Sequence, residues 1–285
     1  MSEPASSSSV SYPADHPRVL IPELCRQFYE LKWVTGTGGG VAMVYEGDYY
    51  LAPSGVQKER MQADDLFVLR DPTAEQLSAV TPFPLLPGRP ILTLASPPAA
   101  RRYGPSQCTP LFFEAFTQRA ARACIHTHSQ AAMLVTLLCD REFRITHQEM
   151  IKGIRVGSTP ASLRYFDELV VPVIDNTPEE ADLTERLAAA LRDYPDTNAV
   201  LVRRHGVYVW GDSWQKAKTM CECYDYLFEA AVEMHRLGVD FSRPPADSPY
   251  IQQMRRHDSR NRRGQSEVEA SKGKAAAVDG NGVQH

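Results

Sequence analysis

No run of about 18 apolar residues occurs in this chain of 285 residues, so the sequence offers no transmembrane helix. A basic start followed by an apolar stretch is also missing. Met1 to Ser11 is Ser-rich and does not read as a secretory signal. Cysteine is sparse and unpatterned: Cys25, Cys108, Cys124, Cys139, Cys221 and Cys223 form no Cys-x-x-Cys, and the last two are too close for an ordinary bridge. That excludes a disulfide framework and fits a reducing compartment, the cytoplasm. Charge of one sign is lacking too. The formal net charge is -4, no basic face is implied, and nucleic acid is not an expected partner. A local positive charge for an anionic substrate remains compatible with that balance. No internal repeat appears.

What is present is apolar mass. Hydrophobic residues make up 43% of the chain and aromatics 9%, enough for one substantial core or at most two small domains. Residues 1–15 are small, polar and Pro-containing, and residues 241–285 carry an arginine cluster and an Ala/Gly/Lys end. Both are expected to be disordered, the arginines as part of a solvated tail. Residues 16–240 are expected to form one α/β domain. Leu20, Leu24, Phe28 and Leu31 recur at helical spacing. Val41–Tyr45 and Tyr49–Ala52 flank Glu46-Gly47-Asp48, a hairpin signal. A strand is expected at Leu66–Leu69, a Pro-rich irregular region over residues 76–105 with a short strand at Ile91–Leu94, and a helix over Pro110–Arg122. Leu169–Ile174 reads as a strand, and Thr177-Pro178-Glu179-Glu180 as a capping box that opens a helix through Leu183, Leu187 and Leu191. Two strands flank His205. A long last helix, capped by Asp212 or Ser213, carries Trp214, Ala217, Cys221, Tyr224, Phe228 and Ala231 on one stripe. Cys221 and Cys223 then point in different directions, which argues against a shared metal.

The chemistry centres on His126-Thr127-His128. Two histidines at i and i+2 on an extended strand share a face, and they follow the apolar Ala123-Cys124-Ile125. His205 could supply a third ligand from a neighbouring strand. Three neutral nitrogens with an open fourth position describe a catalytic metal site, most plausibly zinc, although imidazole suits several metals. The bland alternative is a set of hydrogen-bonded core histidines. Thr35-Gly36-Thr37-Gly38-Gly39-Gly40 follows a helix and precedes a strand, the reverse of a Rossmann phosphate loop. Its backbone could still present N–H groups to an anion, and Ala52-Pro53-Ser54-Gly55 could join the same pocket. Glu149 and Lys152 share a face on a helical turn, either as a surface ion pair or as an acid/base carboxylate beside a phosphate-binding ammonium. His147 reads as structural or as a support to the site. Cys108 lies at a loop-to-helix boundary, where a helix N-terminus lowers a thiol's pKa unless the residue is simply buried.

These segments together resemble the dehydratase branch of the class II aldolase and adducin superfamily. The resemblance rests on Trp33–Gly40, Ala52-Pro53-Ser54-Gly55-Val56-Gln57-Lys58-Glu59-Arg60, Ile125–Ser129, Ile145–Gly153 and Val202–Gly211, and spans about residues 16–240. It implies a three-layer α/β/α fold with a central, mainly antiparallel sheet, and a homotetramer with sites near subunit interfaces. It implies one zinc per subunit on His126, His128 and His205, with Glu149 as the acid/base residue, Cys108 lining the substrate site and Lys152 touching a phosphate. The implied reaction is loss of water from 5-methylthioribulose 1-phosphate in methionine salvage. One departure from the sugar-phosphate aldolases matters: where they carry a glutamate about 20 residues before the histidine pair, this chain has Gln107-Cys108-Thr109. An aldolase or epimerase, and a non-catalytic scaffold of the adducin kind, are the alternatives. The scaffold branch is expected to lack the three histidines.

Overall fold

The structure, a computed structural model, describes residues 11–70, 93–96 and 103–245. Its framework is one nine-stranded sheet in the order β4-β3-β2-β1-β5-β9-β8-β7-β6. The strands are β1 (Gly40–Tyr45), β2 (Asp48–Leu51), β3 (Phe67–Arg70), β4 (Thr93–Ser96), β5 (Ala123–Thr127), β6 (Glu142–Thr146), β7 (Glu168–Ile174), β8 (Ala199–Val202) and β9 (Gly206–Gly211). Every neighbouring pair is antiparallel except β7 and β8. Tight connections explain much of this. Glu46 and Gly47 both take positive φ, 51° and 88°, the geometry of a two-residue hairpin turn between β1 and β2.

Alternation along the strands builds two apolar layers. Val41, Met43, Ala123, Ile125, Val207 and Val209 face one side, with α1 (Pro17–Glu30), α3 (Gln130–Val135) and α5 (Trp214–Arg236). Ala42, Cys124, Tyr208 and Trp210 face the other, under α2 (Thr109–Arg119) and α4 (Thr184–Asp193). This is the three-layer α/β/α arrangement with a mainly antiparallel sheet. The helix stripe of α1 buries Leu20, Leu24 and Phe28, while Leu31 falls at the exposed C-cap. Ser213 caps α5, accepting from the Lys216 backbone N–H at 3.3 Å.

One boundary differs from expectation. The capping box at Thr177 does not open α4. Residues Glu180–Leu183 form a 3-10 turn and α4 begins at Thr184. The Thr177 hydroxyl instead donates to the Glu179 carbonyl at 2.7 Å, and the Glu180 carboxylate turns inward. The expected irregular region 76–105 lies largely outside the described residues, as do most of residues 1–15 and nearly all of the tail with its arginine cluster. No helix among the described residues is long and apolar enough to cross a membrane.

Candidate metal centre and its surroundings

The site forms where β5 runs out between β1 and β9. Gly40 on β1 and Tyr208 on β9 are the register partners of His126. The His126 ring stacks on the Tyr208 ring, centroids 4.0 Å apart and planes 10° apart. Its Nδ1 lies 3.1 Å from the Val207 carbonyl. That partner makes Nδ1 the N–H and leaves the Nε2 lone pair free. His128 sits just past the strand end, its backbone N–H donating to the Trp33 carbonyl at 2.7 Å. The next residue, Ser129, caps α3 and donates to the Asp225 carboxylate, which also takes the Trp33 indole N–H at 2.9 Å. His205 comes from the β8–β9 turn. There Arg204 takes a positive φ of 55° and Gly206 packs so close to the Thr127 carbonyl that a side chain would collide with it. The His205 Nδ1 faces Asn176 Oδ1 at 3.2 Å.

The three rings therefore present Nε2 to a common point. His128 Nε2 lies 3.0 Å from His126 Nε2 and 2.9 Å from His205 Nε2. Burial, then the neighbouring histidine charges, push His128 down to about 3 and His205 down to about 4. Neutral imidazoles with converging lone pairs are the donor set that a divalent metal requires. A four-coordinate zinc at about 2.0–2.1 Å from each nitrogen would set them about 3.3 Å apart, so the residues fit such an ion. The alternative of hydrogen-bonded core histidines would need one Nε2 of each close pair to carry a proton, against the Nδ1–H form that the Val207 carbonyl favours in His126.

A fourth group was not visible in the sequence. Glu180 Oε1 approaches His126 Nε2 to 3.1 Å and His205 Nε2 to 3.9 Å. It accepts from the Tyr208 hydroxyl and interacts with the Cys108 thiol. Burial works to raise this carboxyl, but the adjacent His126 ring and the hydrogen bonds from the Tyr208 hydroxyl and the Cys108 thiol outweigh it and hold it below the usual carboxylate range. Glu180 had been read only as part of a helix cap.

The other expected site residues divide. Cys108 does stand at the N-cap of α2, buried, within 4.8 Å of a His126 nitrogen and a Glu180 oxygen. Its thiol is pushed up by burial and by Glu180, so of the two readings of Cys108 the buried one holds and the helix-lowered thiol does not. Glu149 and Lys152 form an ion pair at 2.6 Å on the 3-10 helix Glu149–Gly153, with side chains 73% and 51% exposed. Within one protomer they do not join the histidines. His147 is buried with a positive φ of 57°, its Nδ1 3.0 Å from the Thr146 hydroxyl and its ring against Tyr165, away from the three histidines. Cys221 and Cys223 are buried on α5, and Cys223 packs against Gly153.

The glycine loop lies against the centre. A Cβ on Gly38 would come within 2.5 Å of the His128 ring, and one on Gly39 within 2.8 Å of the His126 carbonyl. Behind the loop lies Lys58, 1% exposed, whose ammonium donates to the carbonyls of Thr37 at 2.7 Å and Val56 at 3.3 Å.

Comparison with known proteins agrees with this architecture. The profile of the Class II Aldolase and Adducin N-terminal domain matches residues 19–232. Among solved structures, an L-fuculose 1-phosphate aldolase superposes with a TM-score of 0.58 at 15% identity, covering 87% of this chain and 97% of that one. A putative aldolase/epimerase/decarboxylase from Klebsiella pneumoniae gives 0.55 at 18% identity, covering 76% and 88%. These share the fold. Much nearer in sequence are the methylthioribulose-1-phosphate dehydratases of Salmo salar, 57% identical over 86% of this chain and 91% of the relative, and of Mus musculus, 56% identical over 81% and 89%. The chain belongs to the class II aldolase and adducin family, among its methylthioribulose-1-phosphate dehydratases.

Proposed function

We propose that this chain is a hydro-lyase of methionine salvage, converting 5-methylthioribulose 1-phosphate to 2,3-diketo-5-methylthiopentyl 1-phosphate and water, with one zinc ion per subunit on His126, His128 and His205. The observation that carries the reading is the convergence of three buried or half-buried Nε2 atoms in a chain 57% identical to such dehydratases. When bound, the ion supplies Lewis acidity toward the substrate's C2 carbonyl.

The chain's own groups do the rest. The Val207 carbonyl and Asn176 fix the ligand tautomers through Nδ1 of His126 and His205. Tyr208 stacks beneath His126 and closes that side to water. The substrate proton at C3 is α to the ketone and needs a base within hydrogen-bond reach. Glu149 takes it on a carboxylate oxygen and delivers it to the departing C4 hydroxyl; the resulting enol ketonises. Glu149 and Lys152 stand on an exposed turn, so this role is met in a homotetramer in which a neighbouring subunit brings the turn over the histidines. Lys152 then reaches the phosphate, and Cys108 lines the floor. A second reading has one specific support: Glu180 Oε1, already 3.1 Å from His126 Nε2, is the nearer carboxylate and could itself hold the proton. Six free cysteines are consistent with a reducing cytoplasm.

The test is to incubate the purified full chain with 5-methylthioribulose 1-phosphate, with and without a strong chelator, following diketone absorbance and loss of one water by mass. Chelator-sensitive dehydration is expected. Release of a two- or three-carbon aldol fragment by zinc-loaded protein would replace the dehydratase by an aldolase, and a protein without bound metal would leave the scaffold.

A further inference from the structure

The three histidines are not oriented alike. His126 and His205 are each held by a partner at Nδ1, the Val207 carbonyl and Asn176. For His128 the hydrogen-bond-length contacts of the ring are both at Nε2, and among the described residues no group bonds to its Nδ1. A ligating imidazole usually has an outer partner that fixes its ring, so His128 must be oriented by other means. Two are visible. Its ring lies against Gly38, where a Cβ would come within 2.5 Å. Its backbone N–H donates to the Trp33 carbonyl at 2.7 Å.

Both contacts hold only as firmly as the chain around His128 is held, and one carboxylate reaches that chain on two sides. Asp225, on α5, takes the Trp33 indole N–H on Oδ2 at 2.9 Å and the Ser129 hydroxyl on Oδ1. Trp33 carries the carbonyl that receives the His128 N–H, and it opens the segment that runs on to Gly38. Ser129 directly follows His128, and its hydroxyl also accepts from the Ala132 backbone N–H at 3.3 Å, so the α3 cap is part of the same network. Trp33 lies 192 residues from Asp225 and Ser129 lies 96, so only the folded chain brings them together. Asp225 itself is half-buried. Among the described residues no cation pairs with it, and Glu229, one turn further along α5, adds a like charge. Burial pushes its pKa up, and the bonds from Ser129 and Trp33 work against this. A carboxylate withdrawn from water without a cation opposes stability unless its hydrogen bonds compensate. Here both of them come from residues that frame His128.

We propose that Asp225 is a positioning residue of the metal centre: by clamping Trp33 and Ser129 it sets the His128 backbone, and through it the ring. It does for this ligand what the Val207 carbonyl and Asn176 do for the other two. The proposal rests on the three-histidine metal reading above and gives Asp225 no contact with substrate. It also sets an order among the ligands. Loss of Asp225 loosens His128, while His126 and His205 keep their own partners.

Two measurements on the full-length protein test it, and neither needs substrate. In Asp225→Ala, the zinc dissociation constant read by chelator competition should rise about 10–100-fold, as when a group supporting a ligand is lost. The visible absorption of the cobalt(II)-loaded variant should change with it, because a displaced imidazole alters the field at the ion. A brace that only ties α5 to the sheet would lower the melting temperature of the zinc-free protein and leave both readings at their wild-type values. That result would overturn the proposal. Trp33→Phe covers the case in which Asp225→Ala does not fold. It keeps the aromatic packing on Phe28, centroids 5.3 Å apart, and removes the N–H that reaches Asp225. Its zinc affinity should fall by a smaller factor, and an unchanged affinity would likewise overturn the proposal. Wild-type protein that takes up neither zinc nor cobalt would overturn the metal reading and this inference with it. Failure of the dehydratase reading alone would show separately, as absent diketone formation by a zinc-loaded chain.

Discussion

The histidine centre and the Glu149–Gly153 turn are built in opposite ways. His126 is fully buried, stacked on Tyr208 and oriented by Val207, and its partners arrive from β1, the end of β5 and the β8–β9 turn. Most of these contacts join residues far apart in the chain and are buried, so packing holds the geometry. Glu149 stands 73% exposed, its carboxylate satisfied by Lys152 three residues on. An exposed pair of this kind contributes about 0–1 kcal/mol and costs little to break. The three candidate metal ligands come together within one chain. The turn proposed to carry the acid/base residue does not join them there. If both serve one reaction, the second subunit is part of the active site.

The largest expected effect breaks the comparison outright. His126→Ala should remove bound zinc and lower turnover about a thousandfold or more, since a Lewis acid contributes several kcal/mol at the transition state. Glu149→Gln should retain zinc and thermal stability yet lose about 10²–10⁴-fold, the range for a positioned acid/base group. Co-expressing the two inactive chains then decides who serves whom. In mixed oligomers, about a quarter of sites would combine intact histidines with a neighbour's Glu149 if subunits assort randomly in a symmetric assembly. Recovery of activity to that level is the expected result. Mixed oligomers as inactive as their parents would assign Glu149 to the site of its own chain or to none, and Glu180→Gln would become the variant to measure.

A smaller effect sharpens the rigid half of the comparison. Gly38→Ala places a methyl within 2.5 Å of the His128 ring, and the ring must move. Zinc affinity should fall about 10–100-fold, as when a group supporting a ligand is lost. Gly36→Ala is the control: no atom lies within 4 Å of its Cβ, but φ is 66°. That variant should lose about 1–2 kcal/mol of stability through backbone strain and keep its zinc affinity. Equal zinc affinity in the two variants would show that the loop does not position His128.

The same division explains what could be read in the sequence. The α1 stripe, the β1–β2 hairpin and the Ser213 cap are local patterns, and each appears at or within a residue or two of its expected place. His126 and His128 are two residues apart at the end of an apolar strand, so their convergence was legible as well. His205 needed the sheet order, because β9 reaches β5 only after the chain has built β6, β7 and β8 on the far side. Glu180 was not legible. A carboxylate two residues after a proline looks like a helix cap, and the partners that draw it inward, His126 and Tyr208, lie 54 residues before it and 28 residues after it. Lys58 was hidden for a statistical reason: lysines are usually solvated, and nothing within its own segment shows that two loop carbonyls will enclose it.

The smallest effect concerns Lys152. On stability, Lys152→Met should be nearly silent, within about 0.5 kcal/mol, because the pair it breaks is exposed and screened. Its effect on catalysis depends on where the turn sits. If the turn stays in solvent, KM and kcat are both unchanged. If a neighbouring subunit carries it to the histidines, burial removes the screening, Glu149 loses the Lys152 ammonium, and the phosphate loses that contact. KM should then rise by a few-fold, about 1 kcal/mol or less in binding. An unchanged KM would separate the turn from the centre. The Glu180 carboxylate would then be the one that handles the proton.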